Sequence, residues 1–208
     1  MFNELKTAQA SAYLLHKAGG TMEHLKLMKL LYLADRLSWK EYDKSITGDE
    51  YYSLPYGPVL SKTLNLIHGE TLPQLNGNAT VWDNWIKDDA NYCVSLAKEI
   101  DENDEYFWGC LSLNDEQILN RVFADFGHFK TFELVEYTHN KKHVPEWQDP
   151  KGSSKKIKLP DLLAHLGKSK AHIAEILQEH KEQEEIDRLF AGREYAKNHA
   201  IATYFHRG

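Results

Sequence analysis

Residues 25–42 read LKLMKLLYLADRLSWKEY, and this stretch decides what kind of fold the chain builds. Leu27, Leu30, Leu31, Ala34 and Leu37 recur at steps of three and four, while Met28, Tyr32 and Trp39 widen the apolar face they share. A face that broad predicts a helix enclosed by protein on nearly every side, the centre of a mainly α-helical domain. On its N-terminal side, Asn3 is placed to cap a first helix whose stripe is Leu5, Ala8, Ala12 and Leu15 and whose stop is Gly19-Gly20. On its C-terminal side the pattern turns short and aromatic, SITGDEYYSLPYG at 45–57. Gly48 and Pro55 exclude a long helix there, and Tyr51, Tyr52 and Tyr56 favour an extended, partly exposed segment. Pro58 is expected to open the next helix, running to about His68.

Further along, VWDNWIKDDANYCVSLA at 81–97 holds two apolar runs around Lys87-Asp88-Asp89-Ala90-Asn91, which predicts a small hairpin or a pair of strands. Glu99 to Glu105 carries five acidic residues in seven and reads as a solvated connection. Asn114 and Gln117 have capping-box spacing ahead of Ile118, Leu119, Val122, Phe123 and Phe126. Another helix follows through TFELVEYTHNK and ends before Pro145. The segment from Lys141 to Lys158 has six lysines against two acids, with Pro, Gly and Ser punctuation, and reads as a basic surface connection. A short helix from Pro160 to Leu166, a stop at Gly167 and a longer helix capped by Ser169 complete the chain. The expected organisation is a domain over residues 1–150, mainly helical with a few short strands, and a helical extension over 151–208.

Composition narrows the function classes. The chain has 208 residues and a formal net charge of −6, with 42% hydrophobic and 27% charged residues, values ordinary for a folded globular protein. An acidic balance argues against reliance on a global positive field to hold phosphates, so nucleic acid is not an expected partner. Cys93 and Cys110 form neither a disulfide framework nor a thiolate metal module. MFNELKTAQASAYLLHKAGG lacks the features of a signal peptide, and no stretch of about 18 apolar residues occurs. A cytoplasmic protein without a membrane partner is expected.

Neither a nucleophile elbow, a phosphate-binding Gly loop nor a dinucleotide fingerprint is present. His139 and His143 have i, i+4 spacing, but no Glu follows the first and Pro145 interrupts helical geometry, so no metal site is assigned. Asp35, inside an apolar helix, is either a buried functional acid, a solvent-facing group or a cap for neighbouring backbone. The residues therefore predict no catalytic group and no cofactor. Aromatic side chains are more informative: Tyr32, Trp39, Tyr51, Tyr52, Tyr56, Trp82, Trp85, Tyr106, Phe107, Trp108 and Trp147 exceed what a small helical core readily hides, although most of them are expected to be buried. Tyr and Trp are favoured anchors of protein interfaces.

The order of these segments resembles one family. LKLMKLLYLADRLSWKEY, then ITGDEYY and Tyr56 to Val59 (YGPV), then LSLNDEQIL, FGHFKTFELVEYTH and Pro145 to Trp147 (PEW), is similar to the Panacea domain of SocA-like antitoxins. The likeness covers roughly Leu25 to Trp147. It implies a mainly helical domain that neutralises a protein toxin encoded beside it in a bacterial or prophage toxin–antitoxin pair, by direct binding. Lys29, Leu30 and Tyr32 match the helix motif, Tyr56, Gly57 and Pro58 the YGP motif, and Thr138, His139 and Trp147 the later positions; these are structural or binding residues. Toxin contacts are expected at Tyr51, Tyr52, Tyr56 and Trp147. Two other roles stay open, a proteolytic adaptor for the toxin and an enzyme reversing the toxin's modification, as does assembly into a homo-oligomer. The stretch from Lys155 to Leu177 only weakly imitates a helix-turn-helix, and a packing extension is the preferred reading.

Overall fold

A computed structural model describes residues 1–70, 81–101, 103, 104 and 107–205, with side chains of the last helix described as far as Leu189. Glu102, Glu105 and Tyr106, named above in the acidic run and among the aromatics, lie outside the described residues. The chain divides into one unit of Phe2–Leu166 and another of Gly167–Gly208 with Met1.

Helix α1 (Glu4–Lys17) starts where Asn3 predicts, its side chain accepting from Lys6 N at 2.9 Å. Strand β1 (Thr21–Glu23) leads into α2 (His24–Tyr42), the enclosed helix. Its apolar residues Leu27, Met28, Leu30, Leu31, Tyr32, Leu33, Ala34 and Trp39 are buried, and so are the polar Lys29, Asp35 and Ser38. Strands β2 (Tyr51–Leu54) and β3 (Gly57–Leu60) form a tight hairpin, and α3 (Ser61–Ile67) follows. A 3-10 turn at Trp82–Asn84 precedes the hairpin of β4 (Ile86–Asp89) and β5 (Cys93–Leu96), which β1 completes in the order β1-β5-β4. Then come α4 (Leu113–Phe126), α5 (Thr131–His139), β6 (Lys155–Lys156) and α6 (Leu159–His165). The second sheet has the order β3-β2-β6, antiparallel throughout. Helix α2 packs against α1, α4, α5 and β3 and so connects the two halves of the unit.

In the other unit, α7 (Lys170–Phe205) begins as the sequence predicts, Ser169 accepting through Oγ from His172 N and through its carbonyl from Ile173 N. Among the described residues no helix is long and apolar enough to cross a membrane.

Three local expectations are corrected. Pro58 does not open a helix. Its stretch pairs with β2, and α3 starts three residues later, because buried Asp49 caps that helix from a distance by accepting from Lys62 N (3.0 Å) and Thr63 N (2.8 Å). The capping box before α4 is Ser112 with Asp115, not Asn114 with Gln117. Asp115 also holds Lys6 of α1 at 2.8 Å, a tertiary contact that favours this register. The second hairpin turns at Ala90 to Tyr92, later than expected, with Asn91 and Tyr92 left-handed. Many of the aromatics are core, as expected for most of them: Tyr32, Trp39, Tyr51, Trp82 and Trp85 are buried, and Phe107 and Trp108 half-buried.

Asp35 resolves as a backbone cap. Its Oδ1 accepts from Ile46 N (2.8 Å) and Thr47 N (3.1 Å), and its Oδ2 from the hydroxyls of Thr47 and Tyr51. Burial pushes its carboxyl up to about 6 despite these donors. Replacing it by Ala strands two buried amides, so D35A is expected to cost about 3 kcal/mol in urea unfolding, whereas D35N, which keeps an acceptor for both amides, loses less.

Candidate functional site

The β2–β3 hairpin is held from beneath by a buried amine. Lys29 on α2 is fully enclosed, and its Nζ donates to Pro58 O at 2.8 Å. Burial pushes its pKa down to about 7, because the charged form has lost water. Directly above lies Gly57, with φ +98, where a Cβ would sit 2.7 Å from Thr138 Oγ1 and 3.1 Å from both Lys29 Cε and Nζ. Only glycine fits that close approach and that backbone region without strain. The Thr138 hydroxyl is held within α5 by the carbonyls of Leu134 (2.9 Å) and Val135 (3.1 Å). Lys29, Gly57, Pro58 and Thr138 thus lock α2, β3 and α5 together.

A second lock lies beside the first. Buried Glu146 receives Tyr32 Oη (2.8 Å) and Arg36 Nε (2.6 Å), both from α2, on one carboxylate oxygen. Burial, with the Glu146 charge next, holds the Tyr32 hydroxyl well above its ordinary pKa, so it remains a donor. The adjacent Trp147 donates its indole N–H to Leu54 O at 3.2 Å, and Gln148 N donates to Ser53 Oγ at 3.1 Å. His139 stacks on Trp147 with ring centroids 4.1 Å apart. Burial, and then the Lys29 charge, lower the pKa of His139. His143 stacks instead on Tyr137, so the i, i+4 histidines have separate neighbours. Among the described residues no group of three or more His, Cys, Asp or Glu is arranged to hold a metal ion.

What this frame presents outward is aromatic. Tyr56, at the hairpin turn, is 61% exposed and meets Phe132, 65% exposed, edge-on at 6.5 Å. Trp147 and Tyr52 are half-buried, Tyr52 lying beside the Lys156 ammonium. Tyr51 points the other way across the strand into the core, donating to Asp35 and accepting from the Trp39 indole at 2.9 Å. Leu30 is wholly buried and contributes packing. The structure therefore brings Lys29, Gly57, Pro58, Thr138, His139, Trp147 and Tyr56 to one place, with Tyr32 beneath. Phe132 escaped sequence reading because only its position off the Leu134–Val135–Thr138 face of α5 marks it.

Two outcomes test the frame. Gly57→Ala is expected to lose about 2–4 kcal/mol, read by denaturant unfolding, from positive φ and the clash with Thr138. Between about pH 7 and pH 10, an unfolded lysine holds a proton that folded Lys29 has lost, so stability rises with pH across that window. Melting curves should show Lys29→Met more stable relative to wild type at pH 6 than at pH 10.

Residues 27–148 match the family described as antitoxin SocA-like, Panacea domain. No curated protein and no solved structure matches the chain. The matched span contains all but the first three residues of α2, the β2–β3 hairpin, α5 and the Glu146-Trp147 turn, the elements that the two locks join. It covers more than half of the 208 residues, and the chain belongs to the SocA-like antitoxin family that carries the Panacea domain.

Proposed function

We propose that this chain is the antitoxin of a bacterial or prophage toxin–antitoxin pair and neutralises its cognate toxin by direct binding. Family membership supports the antitoxin role and implies a toxin partner. The observation that carries the binding mechanism is the exposed Tyr56–Phe132 pair, standing on a hairpin that Lys29, Gly57 and Thr138 hold from below. Exposed aromatics on a rigid frame bury large apolar area with little ordering cost, which is what an interface anchor requires. Trp147 and Tyr52, both half-buried, flank the same hairpin. A stable complex buries roughly 1,600 Å² in total, an area within which a few such anchors dominate affinity.

Co-expression with the product of the adjacent gene checks this. A tagged copy of this chain is expected to retain that product at about one to one and to relieve its toxicity only near stoichiometric amounts. Rescue at far lower amounts points to an enzyme, and a shortened toxin half-life to an adaptor. Replacing Tyr56 and Phe132 together by Ala should weaken the complex by about 10- to 100-fold with little change in melting temperature, since both side chains are exposed.

A further inference from the structure

The sheet that carries the hairpin is open on one side. Its order β3-β2-β6 leaves β6 at the edge, with Ser154, Lys155, Lys156 and Lys158 exposed. Ile157 N donates to Tyr51 O at 2.9 Å, while Lys156 faces Tyr52 and Lys155 faces Ser53. In an antiparallel ladder the backbone groups alternate between the partner strand and the outside. Residues 155 and 157 turn theirs toward β2, so Ser154 and Lys156 direct theirs outward. Such a row is a template for one more strand. Alongside it opens a hollow of about 460 Å³, lined by Ser53, Gln148, Lys158, Asp161 and His165 among others.

Charge selects the occupant. Lys151, Lys155, Lys156 and Lys158 fall within eight residues of a chain whose net charge is −6. Nearby acids compensate only in part, Asp149 and Asp161 among them. Glu146 is turned inward onto Tyr32 and Arg36, and Glu50 meets Lys156 at 2.8 Å in an exposed pair that solvent screens. Lysines at a strand edge repel indiscriminate pairing, and they admit a strand that brings carboxylates. The edge is also continuous with the aromatic face, through Tyr52 beside Lys156 and through Gln148 beside Trp147. It lies past residue 148, where the family match ends.

We propose that the β6 edge recognises an acidic, extended segment of the cognate toxin, which adds a strand to the sheet. Main-chain hydrogen bonds form at Ser154 and Lys156, and carboxylates of the segment meet Lys155 on one face and Lys156 and Lys158 on the other. The inference rests on the toxin-binding reading above. It assigns selectivity among toxins to a strand outside the matched domain and leaves general anchoring to the aromatic face.

The test measures affinity for the adjacent gene's product. Lys156→Ala removes the side chain and keeps the amide, whereas Lys156→Pro removes both, so the proline variant should bind about tenfold more weakly than the alanine one. Lys155→Glu with Lys158→Glu should weaken binding about tenfold at low salt, with the deficit shrinking as salt rises. In the wild-type complex, amide exchange at Ser154 and Lys156 should slow at least about tenfold. If Lys156→Pro does not fold, Ser154→Pro against Ser154→Ala makes the same comparison. Equal binding by the Pro and Ala variants with unchanged exchange overturns the edge proposal, even where the Tyr56 and Phe132 variant still loses affinity. A dimer of the chain alone that the Glu variants dissociate overturns it in favour of a second copy. A wild-type chain that fails to bind the product overturns both readings.

Discussion

A helix enclosed by protein must find an internal partner for every polar side chain it buries, and this constraint on α2 organises the rest of the fold. Four polar side chains of α2 reach three non-helical segments. Lys29 holds the carbonyl of Pro58, Asp35 gathers the amides of Ile46 and Thr47, and Tyr32 and Arg36 converge on Glu146. An unpaired buried group costs more than a satisfied one contributes, so these contacts specify where three non-helical segments lie. The apolar face of α2 organises the helices, and its polar groups organise the loops.

That division explains how a hairpin and its exposed aromatics are held in place by buried groups. Loops and hairpin turns are ordinarily the mobile parts of a protein. Here the hairpin is bonded from below by Lys29, wedged by Thr138 against a glycine that admits no side chain, and tied at its side by the Trp147 indole. Tyr56 and Phe132 stand on top, mostly exposed and edge-on to each other. The buried residues that hold the hairpin and the aromatics it exposes are therefore different sets.

Much of this was legible in the sequence where the signal is local. The Asn3 cap, the broad stripe of α2 and the Ser169 start of the last helix depend on neighbours within four residues, and each stands where periodicity and capping place it. Local signals are overridden where a distant residue intervenes. Pro58 has the look of a helix opener, but Asp49 caps α3 from twelve or more residues away and leaves Pro58 in a strand. Asn114 and Gln117 have the right spacing, yet Asp115 serves because it also meets Lys6 across the domain. Tyr51 and Tyr52 are indistinguishable by composition, and strand alternation alone sends one into the core and the other toward the surface.

By itself the sequence determined the fold class, the enclosed helix and the family likeness, because hydrophobic periodicity and motif order are written in short-range spacing. Tertiary structure alone decided that Lys29, Gly57 and Thr138, far apart in the chain, meet in one lock. It also decided that Phe132 faces Tyr56 and that Lys155 and Lys156 close a sheet with an open edge. These depend on contacts between elements distant in sequence, set by how the buried polar groups of α2 are satisfied rather than by any local preference.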